Sequence, residues 1–223
     1  MLRIIPIEKL VLLIPMQFIL SMAHRIARLS SKSSLLLLCD MQEKFRPTIK
    51  YFPQIVETSN KLLKVCKLLD VPYIVTEQYP KGLGRTVSEL EIGTVKPYEK
   101  TLFSMCAPNV TNHLKSQAKD MKTAIICGIE AHACVLQTAI DLLEQKHNVY
   151  IVVDAVSSRT MVDRMYAFDH MRQAGAFLTT FESIVLQLTQ DASHPKFREI
   201  QQYIKTPAAD TGLLQMNTGV IAS

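Results

Sequence analysis

From residue 34 onward the chain alternates short, wholly apolar runs with longer amphipathic stretches, separated by turn-forming residues. The run Ser34–Cys39 contains four consecutive leucines and ends at Asp40, which predicts a strand buried on both faces, as parallel sheets require. Residues 53–69 place Ile55, Val56, Leu62, Leu63, Val65, Cys66 and Leu69 near helical spacing, and Asp70 stops the pattern. The β-prone stretch 71–76 follows directly and completes a strand, helix, strand unit with an expected right-handed crossover. Pro80, Gly82, Gly84, Gly93 and Pro97 break any period over 78–100, so this is a long irregular segment with a short strand near Val95, and such segments tend to carry function. The alternation then resumes with a helix over 109–119, a strand over 123–128 and a helix over 133–145 that turns Val135, Ala139, Leu142 and Leu143 inward. A strand over 148–155, a helix over 161–174 and a strand over 176–180 follow, then helical stretches at 182–188 and 195–205. A polar tail from Thr206 is expected to pack loosely. This rhythm describes an α/β domain with five or six parallel strands and helices on both faces.

At 223 residues, 48% of them hydrophobic and 20% charged, the composition is that of an ordinary globular protein and excludes a disordered or low-complexity chain. Twenty-five basic and 20 acidic residues give a net charge of +5 without a basic stripe, so nucleic acid is not an expected partner. The excess is concentrated early, at Arg3, Lys9, Arg25, Arg28 and Lys32, and no acidic residue lies between positions 9 and 39. Within that region residues 10–20 are apolar except for Gln17, with Pro15 inside the stretch. A membrane-spanning helix needs about 20 apolar residues, so no membrane partner is expected. A secretory signal, a mitochondrial presequence and an upstream extension before a usual start at Met22 are the readings of residues 1–31. The last is preferred, with a cytoplasmic location and a mitochondrial alternative, and the stretch is expected to add little to the fold. Five cysteines at 39, 66, 106, 127 and 134 form an odd set without C-x-x-C spacing, which speaks against a disulfide framework or four-thiolate zinc site and for a reducing compartment.

No G-x-G-x-x-G or Walker loop follows a strand, and none of the six histidines has tight metal-ligand spacing. The informative stretch is residues 126–135, where an apolar strand ends at Gly128 and Cys134 falls in the first turn of the next helix. Free amides and the helix dipole there favour a thiolate and can hold an oxyanion. Cys134 reads equally as a small hydrophobe on a buried helix face, and position alone does not choose. His132 lies only two residues away and does not face Cys134 along a helix. Asp40 is the better acid, because a parallel sheet brings the carboxyl ends of neighbouring strands to one edge; its competing role is to cap the next segment. Met161, Met165 and Phe168 read as helix packing, and Arg159 with Asp163 as a local ion pair or subunit contact.

Asp40-Met41-Gln42, Lys100 within Glu99-Lys100-Thr101-Leu102-Phe103-Ser104, and Gly128 followed by Cys134-Val135 resemble the isochorismatase-like cysteine hydrolases. The likeness runs over residues 34–214 and includes Thr76-Glu77-Gln78-Tyr79-Pro80, Cys127-Gly128-Ile129-Glu130-Ala131 and Val152-Val153-Asp154-Ala155. It implies a Rossmann-like three-layer α/β/α sandwich with a mostly parallel six-stranded sheet, a hydrolase domain over 32–206 and a C-terminal tail over 207–223. It further implies a triad in which Asp40 takes the proton of Cys134, Lys100 holds the anionic pair and Cys134 attacks a small amide or related acyl carbon. The loop Ile129, Glu130 and Ala131 would carry a cis peptide and the oxyanion amides, with Glu130 and Ala131 standing where many relatives have small residues and threonine. Gln42, Phe45, Tyr79, Phe103 and His132 flank these motifs and are the expected lining of a small-molecule pocket, although core or rim roles stay open for them. Nicotinamidases of the family bind a metal through an Asp and two His between the first acid and the lysine, whereas residues 41–99 contain no histidine. The expectation is therefore no metal and no cofactor. Isochorismatases proper often lack the cysteine, so vinyl-ether hydrolysis is not implied. Relatives commonly form dimers or tetramers, which makes a homo-oligomer the expected assembly. A catalytically silent binding protein and a redox-sensing thiol protein are the competing functions.

Overall fold

The computed structural model describes residues 27–117 and 120–213; the readings offered for residues 1–26 and for the end of the tail lie outside them. Six strands, β1 (Ser34–Cys39), β2 (Tyr73–Gln78), β3 (Tyr98–Lys100), β4 (Thr123–Ile129), β5 (Asn148–Ser157) and β6 (Phe177–Thr179), form one parallel sheet in the order β3-β2-β1-β4-β5-β6. The helices are α1 (Phe52–Leu68), the single turn α2 (Pro80–Leu83), α3 (Pro108–Gln117), α4 (Leu136–Glu144), α5 (Met161–Gln173), α6 (Phe181–Thr189) and α7 (Phe197–Ile204).

The leucine run explains why β1 is central. Leu36 and Leu38 pack into one layer with Ile55, Leu62 and Leu63 of α1 and Ile184 of α6. Leu35 and Leu37 pack into the opposite layer with Ala139 and Leu142 of α4 and Phe168 of α5. Each of the four is at most 2% exposed, and burying each stabilises the fold by roughly 1.5–3 kcal/mol. Sheet order reverses at β1, which pairs with β2 on one side and β4 on the other. A crevice beyond the carboxyl ends at such a reversal is where ligands bind in open α/β sheets.

The irregular segment differs from expectation at one strand. The edge strand lies at Tyr98–Lys100 rather than near Val95, in register with Thr76, Glu77 and Gln78 of β2. Buried Glu77 orders the approach to it: the amide and hydroxyl of Thr86 donate to its carboxylate at 2.7 and 2.8 Å, and Arg85 at 2.9 Å. The helix expected from residue 133 opens earlier, with a wide π-type turn over Ala131–Val135 that leads into α4.

Both ends of the described chain are more firmly held than the sequence suggests. Leu29 is 3% exposed, and the Tyr150 hydroxyl donates to the Ala27 carbonyl at 2.6 Å. The tail does not hang loose at Thr211, which is 2% exposed; the fully buried Arg164 donates to its carbonyl at 2.7 Å and to the Val153 carbonyl at 2.8 Å. Burial pushes the Arg164 guanidinium down to about 10.

Candidate active site

Asp40 is the first residue beyond β1. Its φ of 49° is in the left-handed region, which Asp tolerates better than most residues. This turn directs a 1% exposed carboxylate across the ends of β1 and β2. The Thr76 hydroxyl donates to Oδ1 at 2.7 Å, and the Lys100 ammonium donates to Oδ2 at 2.6 Å. Lys100 is the last residue of β3 and stands opposite Gln78 in the ladder. It also donates to Gln78 Oε1 at 2.7 Å and to the carbonyls of Phe103 at 2.8 Å and Leu102 at 3.1 Å. Two charges are thus buried together with their remaining polar valences met, the condition under which such a pair is tolerated. Burial by itself disfavours the ammonium, but the acidic groups of Cys39, Asp40 and Cys134 outweigh it and hold the lysine above its ordinary value.

Cys134 reaches the same place from β4. Gly128 is required before the turn: a Cβ there would stand 2.1 Å from the Cys39 carbonyl oxygen, and its φ is 117°. The Ile129–Glu130 peptide is cis, as the resemblance implies, and the amides of Ala133 and Val135 both donate to the Glu130 carbonyl at 3.1 Å. Thr138 locks the wide turn by donating to the Cys134 carbonyl at 2.6 Å while accepting from the Met105 amide at 2.8 Å. The Sγ atoms of Cys134 and Cys39 and a carboxylate oxygen of Asp40 all lie within 4.8 Å of one another. Cys134 is 7% exposed and opens onto a cleft of about 370 Å³, also lined by Phe45, Phe103, Ile129, Glu130 and Arg159.

Asp40, Lys100 and Cys134 are therefore gathered at one rim, and Phe45, Phe103, Ile129 and Glu130 surround the opening. The other expected lining residues are placed differently. Gln42 is fully buried and acts as a clamp, donating to the carbonyls of Gln78 at 3.0 Å and Gly84 at 2.7 Å and accepting from the Gln78 amide at 2.7 Å. Its amide is thereby used up. Tyr79 lines a neighbouring cavity of about 530 Å³ with Lys100, Leu102, Ala107 and Pro108. His132 Nδ1 lies 3.0 Å from the Ser158 hydroxyl, and Ala131 is fully buried beneath the turn. Arg159 pairs with Glu130 at 3.2 Å and not with Asp163, which instead closes the α5 N-cap with Thr160. Reasoning from sequence missed Cys39, Gln78 and Thr138. Their signals were adjacency to Asp40, the ladder position opposite Lys100, and the one-turn spacing from Cys134.

Residues 34–183 match the isochorismatase domain family. The chain belongs to the isochorismatase family. Isochorismatase domain-containing protein 2 of Danio rerio is 55% identical over 189 residues, covering 85% of this chain and 95% of the relative. Its Xenopus laevis counterpart is 50% identical over 200 residues, covering 90% and 97%. Among solved structures, that of MAR1 ribonuclease from Caenorhabditis elegans superposes with a TM-score of 0.79 at 52% identity, covering 84% of this chain and 97% of that one. Isochorismatase-family membership places the chain among hydrolases. No helix of the described residues is long and apolar enough to cross a membrane.

Proposed function

We propose that the protein is a metal-independent cysteine hydrolase of small amides or related acyl compounds, with Asp40, Lys100 and Cys134 as its catalytic residues. The observation that carries this reading is a buried Asp40–Lys100 pair, 2.6 Å apart, with the sulfur of Cys134, which opens onto a cleft, within 4.8 Å of the Asp40 carboxylate. Asp40 takes the Cys134 proton, and the thiolate adds to the acyl carbon. The helix-start amides of Ala131 and Cys134 receive the charge that develops on oxygen. Asp40 then returns the proton to the departing amine, leaving a thioester. Water, deprotonated by Asp40, adds to that carbon and expels the sulfur. Lys100, 2.6 Å from Asp40, balances the carboxylate charge in a buried site. Phe45, Phe103 and Ile129 give the cleft an apolar wall suited to a small acyl group.

The test is covalent labelling followed by turnover. An electrophilic amide analogue should modify Cys134 ahead of the other four thiols, and Asp40→Asn should abolish that preference. Hydrolysis of at least one member of a small-amide panel should disappear in Cys134→Ala. Binding without turnover across the panel, unchanged in Cys134→Ala, would support a silent binding protein instead. Because several solved structures of similar proteins carry the name ribonuclease, RNA belongs in the panel. Cleavage of RNA that depends on Cys134, with no amide turned over, would replace the acyl reading.

A further inference from the structure

The hydrolytic scheme leaves one buried nucleophile at its centre without a task. Cys39 is 0% exposed and donates its thiol proton toward Asp40 Oδ2 at 3.5 Å, and its sulfur lies within 4.8 Å of the Cys134 sulfur. It is the residue whose main chain abuts Gly128, so its backbone is fixed relative to the turn that carries Cys134. The described cysteines otherwise fall apart from this pair: Cys66 and Cys127 sit in the opposite apolar layer, and Cys106 is half-buried.

We infer that Cys39 and Cys134 form a reversible disulfide, a modification site that takes the cleft thiol out of service under hydroperoxide and preserves it for later reduction. The two sulfurs need to close by less than about 3 Å to reach a bond of about 2.05 Å, a movement within the range of side-chain rotation. In the first step the Cys134 thiolate attacks the distal oxygen of a hydroperoxide. The O–O bond breaks, sulfur is oxidised to sulfenic acid, and the alkoxide or hydroxide leaves as alcohol or water with the proton that Asp40 took from Cys134. In the second step Asp40 accepts the Cys39 proton, and the resulting thiolate attacks the sulfenic sulfur. The S–O bond breaks, and the hydroxide leaves as water with the proton from Asp40. Two thiols and one hydroperoxide thus yield one disulfide, one alcohol and one water. Lys100, held beside both sulfurs, steadies each anionic stage. Cys39 is held strongly in its thiol form by burial, with the neighbouring Cys134 and Asp40 acting in the same direction. It is thus a poor first target and reacts only once the adjacent sulfur has become electrophilic. The proposal shares with the hydrolase reading the reactivity of Cys134 and the Asp40–Lys100 pair beside it, but needs no acyl substrate.

The full chain should be exposed to hydrogen peroxide, quenched with a maleimide, and mapped by peptide mass spectrometry. The expected product links the Cys39 and Cys134 peptides, lowers the intact mass by about 2 Da, and is reversed by dithiothreitol with recovery of Cys134 labelling. In Cys39→Ala, Cys134 should instead gain about 32 Da as sulfinic acid and fail to recover. Wild-type protein that accumulates sulfenic or sulfinic acid at Cys134, with Cys39 still open to the maleimide after denaturation, overturns the proposal. So does a bond from Cys134 to any other cysteine. The wild-type map decides the matter even if the variant does not fold. Disulfide formation in a protein that hydrolyses no amide would sink the hydrolase reading alone.

Discussion

Cys39 on β1 and Cys127 on β4 are nearest neighbours in the sheet, one position out of register, since Leu38 stands opposite Cys127 and Cys39 opposite Gly128. Both are fully buried, yet they face opposite layers. Cys127 faces Cys66 and aliphatic side chains, and burial pushes its thiol up to about 12 despite a hydroxyl contact from Ser59. Cys39 faces Cys134, Asp40 and Lys100. The same residue type at the same depth is therefore packed among aliphatic side chains on one side of the sheet and beside polar, titratable groups on the other. Burial holds both in the thiol form; what separates the two faces is that Cys39 has a second thiol and the Asp40–Lys100 pair beside it.

The contrast breaks most sharply at its reactive end. Cys134→Ala or Asp40→Asn should lower hydrolysis of any accepted amide by about 10³-fold or more, measured as kcat/KM against wild type, while urea denaturation shows the fold retained. Lys100→Met leaves Asp40 as an unpaired buried charge and should cost about 3–5 kcal/mol of stability near neutral pH. That difference has a predictable pH dependence. The folded lysine titrates above its ordinary value of 10.5, so its stabilising contribution is complete below that pH and is lost as pH rises through the folded value. Alkaline denaturation curves of the two proteins should therefore converge. Gly128→Ala would force a methyl group against the Cys39 carbonyl at an unfavourable φ. A loss of about 1–3 kcal/mol is expected, with slower labelling of Cys134 because the turn is displaced. The smallest effect belongs to the apolar face: Cys127→Ala should cost about 1 kcal/mol and leave the labelling rate of Cys134 unchanged. Equal slowing of labelling by Gly128→Ala and Cys127→Ala would show that the two faces are not independent.

Much of this layout was legible from the chain alone. The leucine run of β1 and the spacing of Ile55, Leu62 and Cys66 in α1 carry strong local signals, since each element buries a continuous apolar surface. Asp40 and Cys134 could be tied together because parallel strands end on one edge, whereas Lys100 joined them only through the family resemblance. What escaped was fixed by partners remote in sequence. The edge strand β3 has only three residues, and its place is set by pairing with β2 and by the ligands of the Lys100 ammonium. Gln42 resembles a pocket residue in sequence, but its amide is spent on the Gln78 and Gly84 backbone. The π-type turn under Cys134 depends on Thr138 meeting the Met105 amide, which no periodicity announces.

The strand reversal between β1 and β4 has a consequence for the newborn chain. During synthesis the acid and the amine emerge first, and the sulfur follows after both of their strands have been made. Until β4 docks beside β1, with Gly128 against the Cys39 backbone, residue 134 is an ordinary thiol far from any cation. That sulfur meets the carboxylate only once β4 has docked, so a reagent selective for it would double as a gauge of this docking step.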